Sequence, residues 1–157
     1  MGGWGSGWQG SKKVTVERCL VLSVKELARA GLLKPGCPSG SWCWRSGNET
    51  VATVKLDLVI DPDKGTIWLT HTAGGKLTHY TVSLVTTVPH YGGRRWWFIC
   101  PIKKIRAAKL YLPPGATGFA SRRAHDLTYR SSQQSGRRER SAKFSRQLAE
   151  RLRRDLV

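Results

Sequence analysis

Carboxylates are scarce in this chain. Ten Asp plus Glu stand against 27 Lys plus Arg in 157 residues, a formal charge of +17. A folded body with that imbalance repels itself, so the charge implies a polyanionic partner, and nucleic acid is the commonest one. An acidic membrane surface or an acidic protein would also match the charge. Long apolar runs are missing as well. No stretch of 18 apolar residues occurs, which argues against a transmembrane helix. The Gly- and Trp-rich start lacks the apolar segment of a signal peptide. A cytoplasmic protein with no membrane partner is therefore expected, with Cys19, Cys37, Cys43 and Cys100 as free thiols. Catalytic signatures are absent too: there is no G-x-S-x-G, P-loop or H-E-x-x-H. Asp61 and Asp63 flank Pro62 in a turn and Asp57 stands alone on a strand, so paired carboxylates are lacking. The expectation is a protein without catalysis and without a cofactor.

What is present is a core-forming fraction, 39% hydrophobic, and a lopsided charge. Residues 1–90 carry a net +4, residues 91–118 a net +6 and residues 119–157 a net +7. The binding half is thus expected at the C-terminal side. Four regions follow: a Gly/Trp arm over 1–13, a helix and antiparallel sheet over 14–90, a basic hairpin over 91–130 and a basic helix over 131–157.

Ser23 and Glu26 have capping-box spacing, which predicts a short helix that Lys34-Pro35-Gly36 stops, with Leu27, Ala30 and Leu33 inward. Ser41–Arg45 is a short strand candidate. From Thr50 to Ile60 the apolar residues alternate, with Ala52, Val54, Leu56, Leu58 and Ile60 on one face. Turn chemistry at 61–65 leads to a return strand over 66–72, and Gly74-Gly75 leads to a third over 77–87. This is an antiparallel meander with one solvated side. His71 and His79, across the Gly-Gly turn, are expected as paired surface histidines. Near the end, Phe144, Leu148, Leu152 and Leu156 recur every four residues and predict one apolar stripe on a basic helix. The fold class expected is therefore α+β.

The most distinctive stretch is His90-Tyr91-Gly92-Gly93-Arg94-Arg95-Trp96-Trp97-Phe98-Ile99-Cys100-Pro101. Lys103, Lys104, Arg106 and Lys109 follow it. Cys100–Lys103 has the shape of one zinc-ribbon knuckle and Ser121–Ala124 that of a second, with seventeen residues between Lys103 and Ser121. With Met1-Gly2-Gly3, Gly31–Gly36, Leu110–Leu112 and Phe119–Tyr129, this stretch resembles a family of small basic bacterial proteins. Those proteins are often carried on plasmids, phages or other mobile elements. Its pattern opens M-G-G-x-G-S-G and runs through H-Y/F-G-G-R-R-x-W-F-x-C-P-x-C-G to F-x-C-R-x-C-H-x-L-x-Y. The resemblance covers nearly the whole chain and implies a zinc-ribbon-like hairpin, but no function. Here Lys103, Lys104, Ser121 and Ala124 stand where the pattern has Cys, Gly, Cys and Cys. Only Cys100 keeps its thiol, so no metal is expected. The hairpin would then rest on packing, with Trp97, Ile99, Ile102 and Phe119 filling the vacated space.

The leading expectation is a nucleic-acid-binding accessory protein acting on DNA or RNA. Arg94, Arg95, Lys103, Lys104, Arg106, Lys109, Arg122 and Arg123 are the expected phosphate contacts, joined by Arg137, Arg138, Arg146 and Arg153 in the terminal helix. Trp96, Trp97 and Tyr111 are the stacking candidates. If 95–99 is a strand, one of the adjacent tryptophans must point outward. The alternative is a protein-binding adaptor or inhibitor acting on or within a nucleoprotein complex.

Overall fold

The computed structural model describes residues 12–133. Both the Gly/Trp arm up to residue 11 and the terminal segment from residue 134 lie outside the described residues. The basic helix expected over 131–157 lies almost wholly in that segment, as do Arg137, Arg138, Arg146 and Arg153.

The strands of the main sheet are β2 (Ser39–Ser46), β3 (Glu49–Ile60), β4 (Lys64–Ala73), β5 (Lys76–Thr87), β6 (Arg95–Ile99) and β7 (Arg106–Ala107). They are neighbours in chain order and every pair is antiparallel. A second ladder pairs β1 (Leu20–Ser23) with β8 (Lys109–Leu112). The expected strands at 50–60, 66–72 and 77–87 lie inside β3, β4 and β5. Their turns need unusual backbone: at the tip of the β5–β6 hairpin Gly92 and Gly93 adopt φ of 81° and 79°, left-handed values that glycine takes without a Cβ clash.

The α+β expectation is overturned. Among the described residues strands take up 50% and helices 11%, so the fold there is mostly β. Its main helix, α1 (Val24–Arg29), is six residues long. It stops early because the chain turns left-handed at Gly31, φ 76°. The Ser23 side chain makes no cap hydrogen bond, and Ala30 is exposed rather than inward; Leu27 and Leu33 are buried as the pattern requires. A helix this short is marginal on its own and holds its shape by docking.

The concave face of the sheet buries Val54, Leu56, Leu58, Ile67, Leu69, Val82, Leu84 and Phe98, and α1 and the β1–β8 ladder close over it with Leu22, Leu27 and Leu110. Truncating fully buried Phe98 to Ala removes one of the two largest fully buried side chains of this core, at a cost of about 3–5 kcal/mol. No helix among the described residues is long and apolar enough to cross a membrane.

His71 is a second correction. It is buried, 6% exposed, on the core side of β4, whereas exposed His79 pairs with Thr70 on the opposite face. Hairpin register sets this: Thr70, not His71, faces His79, and a one-residue offset in a strand changes the face. The His71 ring stands edge-on to Phe119 and Tyr80 at 5.6 and 5.8 Å. The Tyr80 hydroxyl accepts the Phe119 N–H at 2.7 Å, and burial pushes its pKa up to about 12.

Candidate nucleic-acid interface

Strand β6 positions the site. Strand alternation sends Trp96 and Phe98 toward the core and Arg95, Trp97 and Ile99 to the outer face. Trp97 is half-buried there. Its indole N–H donates to Thr87 Oγ1 at 2.9 Å, and the Arg95 guanidinium lies 4.2 Å over its ring. Such a cation over an indole is held by the ring quadrupole and leaves the guanidinium edge free to donate.

The outer face continues across the sheet. Trp68 on β4, opposite Asp57 and Thr81, projects to the same side as Trp97. By strand spacing and rise the two indoles stand about 17 Å apart. Between and around them lie Thr66, Ser83 and Ile99, with Arg106 opposite Ile99 on β7. Lys55 and Asp57 form an ion pair at 3.2 Å on this face. A tryptophan in an alternating strand suits core and surface equally well, so the sequence carries no signal for Trp68 and only the register assigns its side.

The remaining expected residues divide. Lys103, Lys104, Arg106, Lys109 and Arg123 are exposed. Arg94 is occupied: it pairs with Asp63 Oδ1 at 2.9 Å and donates to the Pro62 carbonyl, tying β6 to the β3–β4 turn. Arg122 lies 5.1 Å over the Tyr129 ring and donates to the Leu127 carbonyl at 3.3 Å. Tyr111 is 8% exposed and packs with Val16 and Leu127, so its stacking role falls away. Trp96 packs against the core and forms one wall of a cleft beside α1. Tyr91, by contrast, is 97% exposed at the hairpin tip, edge-on to His90 at 5.5 Å.

The two knuckle-shaped segments do meet. Cys100 is fully buried, and its Sγ accepts the N–H of Lys103 at 3.5 Å and of Ser121 at 3.3 Å. The second segment repeats the pattern, with Ser121 Oγ accepting the Ala124 N–H at 3.3 Å. Each turn also closes through a backbone bond, Lys104 N–H to Cys100 O at 2.9 Å and His125 N–H to Ser121 O at 3.2 Å. Lys104 takes φ 55°, a left-handed value unusual for a residue with a Cβ. Burial raises the Cys100 pKa, but hydrogen bonds from the Ser121 side chain and the Lys103, Ser121 and Ile102 backbones outweigh it and hold the pKa below the ordinary thiol value. The space between the knuckles is not filled as expected: Ile102 is 60% exposed, Trp97 lies on the outer sheet face and Phe119 stacks on Trp44 at 5.7 Å. The buried Cys100 thiol and Ser121 meet between the knuckles instead.

Among the described residues no three His, Cys, Asp or Glu side chains converge as a metal site. A cleft of about 680 Å³ lies against the first knuckle, between Tyr80, Ile102, the 115–118 loop and His125. His125 Nε2 is 3.1 Å from the Gly118 carbonyl there, within hydrogen-bonding distance. Compared with protein families, curated proteins and solved structures, the chain matches none, so the reading of this surface rests on its own geometry.

Proposed function

We propose that this protein binds nucleic acid without catalysis and takes single-stranded DNA or RNA along the outer face of its sheet. The observation that carries the reading is the Arg95–Trp97 pair on an open face. An indole offers a base a stacking partner, and the guanidinium above it offers a phosphate two donors. Arg106, opposite Ile99, extends the cationic surface beyond it, Lys103 and Lys104 are exposed in the turn between β6 and β7, and Trp68 supplies a second stacking ring. Exposed base faces exist only in unpaired strands, which is why tryptophans on a sheet favour single strands over duplex. In this reading the protein works in the cytoplasm as a nucleic-acid-binding accessory protein.

A second reading, a protein-binding adaptor, has one specific observation in its favour. Tyr91 and Val88, 97% and 77% exposed, form an apolar hairpin tip that phosphates do not need.

Binding of nuclease-treated protein to single- and double-stranded DNA and RNA across a salt series tests the proposal. The expected result is preference for single strands and a linear fall of log affinity with log salt. Trp97→Ala weakens binding by about 1–3 kcal/mol. Arg106→Ala lowers the salt slope by about 0.7. Binding no stronger than that of a generic polycation, and unchanged in both variants, overturns it and favours the adaptor.

A further inference from the structure

We propose that the cleft between α1 and β6 is a site for a phosphomonoester carried on an aromatic base: a free nucleotide, or the phosphorylated end of a strand. This extends the nucleic-acid reading, because β6 serves both surfaces, one on each face. The cleft has a volume of about 440 Å³, within the range of small-ligand pockets. Trp96 forms its aromatic wall and is held from behind by the core. Lys25 on α1 and Lys109 at the start of β8 also line it, together with Arg94 and Arg95.

Four cationic residues, Lys25, Lys109, Arg94 and Arg95, line this cleft. No carboxylate lines it. The three ion pairs among the described residues take Lys13, Lys55 and Arg94. Lys25 and Lys109 are in none of them. Two unneutralised ammonium groups beside an indole suit a phosphomonoester, which carries close to two negative charges at pH 7, better than an internal phosphodiester, which carries one. The frame is also rigid. Ser23 and Lys109 are opposed in the β1–β8 ladder, and the Val24 N–H donates to the Ala108 carbonyl at 3.1 Å, so α1 and the 108–109 segment are fixed to each other. Ser23 is 6% exposed and borders the cleft, and its hydroxyl makes no cap bond to α1.

The test follows the indole N–H resonances of the full chain by NMR. Adenosine 5′-monophosphate, adenosine and inorganic phosphate are titrated separately, as is one oligonucleotide with and without a 5′-phosphate. The nucleotide is expected to shift the Trp96 signal saturably. Adenosine and phosphate alone each bind about tenfold more weakly or worse. Lys25→Ala and Lys109→Ala each weaken the nucleotide severalfold, as read on the Trp96 signal. The oligonucleotide arm separates the two sources: a 5′-phosphate that strengthens binding in a Lys109-dependent way identifies a strand end, and no gain from it identifies a free nucleotide. A Trp96 signal that the nucleotide does not move, or affinity indifferent to both lysines, overturns the proposal. Oligonucleotide binding that persists in that case, through Trp97, leaves the sheet-face reading standing; nucleotide binding at Trp96 without oligonucleotide binding overturns the sheet-face reading alone.

Discussion

The thiol of Cys100 and the backbone N–H of Ser121 meet at 3.3 Å, joining two turns 21 residues apart. The same sulfur accepts from Lys103, so one buried atom organises both segments. Cys100→Ala leaves two donors without their acceptor and is expected to cost about 1–3 kcal/mol. Cys100→Ser keeps an acceptor and costs less. Urea unfolding of the two variants checks the order; equal losses would mean that packing, not hydrogen bonding, sets the role of the thiol.

The same geometry predicts a metal site by substitution. Lys103→Cys, Ser121→Cys and Ala124→Cys, added to Cys100, place four thiolates on two turns that already meet, the set a structural zinc takes. The expected outcome is one zinc per chain, with a melting temperature that rises with metal and falls with chelator. Failure to bind zinc would show that the resemblance to a ribbon stops at the backbone.

His71 predicts a pH dependence. Burial lowers its pKa below the ordinary 6.5, with a backbone bond at Thr72 opposing only in part. A depressed histidine pKa means that the unfolded chain takes up the proton first as pH falls. This contribution to stability is therefore complete well above pH 6.5, declines as pH drops through that value and levels off below the folded pKa. His71→Phe is expected to narrow the stability difference between neutral and mildly acidic pH, as measured by unfolding at both. An unchanged difference would place the dependence elsewhere.

Asp63 restrains Arg94. The pair is exposed, so its contribution to stability is at most about 1 kcal/mol. Asp63→Asn frees the guanidinium and removes a negative charge beside β6. Single-strand affinity is expected to rise and the salt slope to steepen by about 0.7, for one added phosphate contact. Lower affinity would mean that Arg94 serves by holding the β3–β4 turn in place.

The sequence by itself determined the sheet and the character of its surface. Alternation over 50–60, the turn residues at 61–65 and Gly74-Gly75 mark β3, β4 and β5, because a strand that buries one face must repeat every two residues. The net charge and the Arg-Arg-Trp-Trp run mark β6 as the strand that sets cations beside indoles. Only the tertiary structure decided which groups are free to act. Arg94 and Arg95 are neighbours in sequence, yet one is bound to a carboxylate 31 residues earlier and the other lies over an indole. Tyr111 reads like a stacking residue and is buried against Val16 and Leu127. Trp68 and Lys25 carry no local signal at all. Their roles depend on register and on where α1 docks, and those are set by contacts between residues far apart in the chain, which local pattern does not encode.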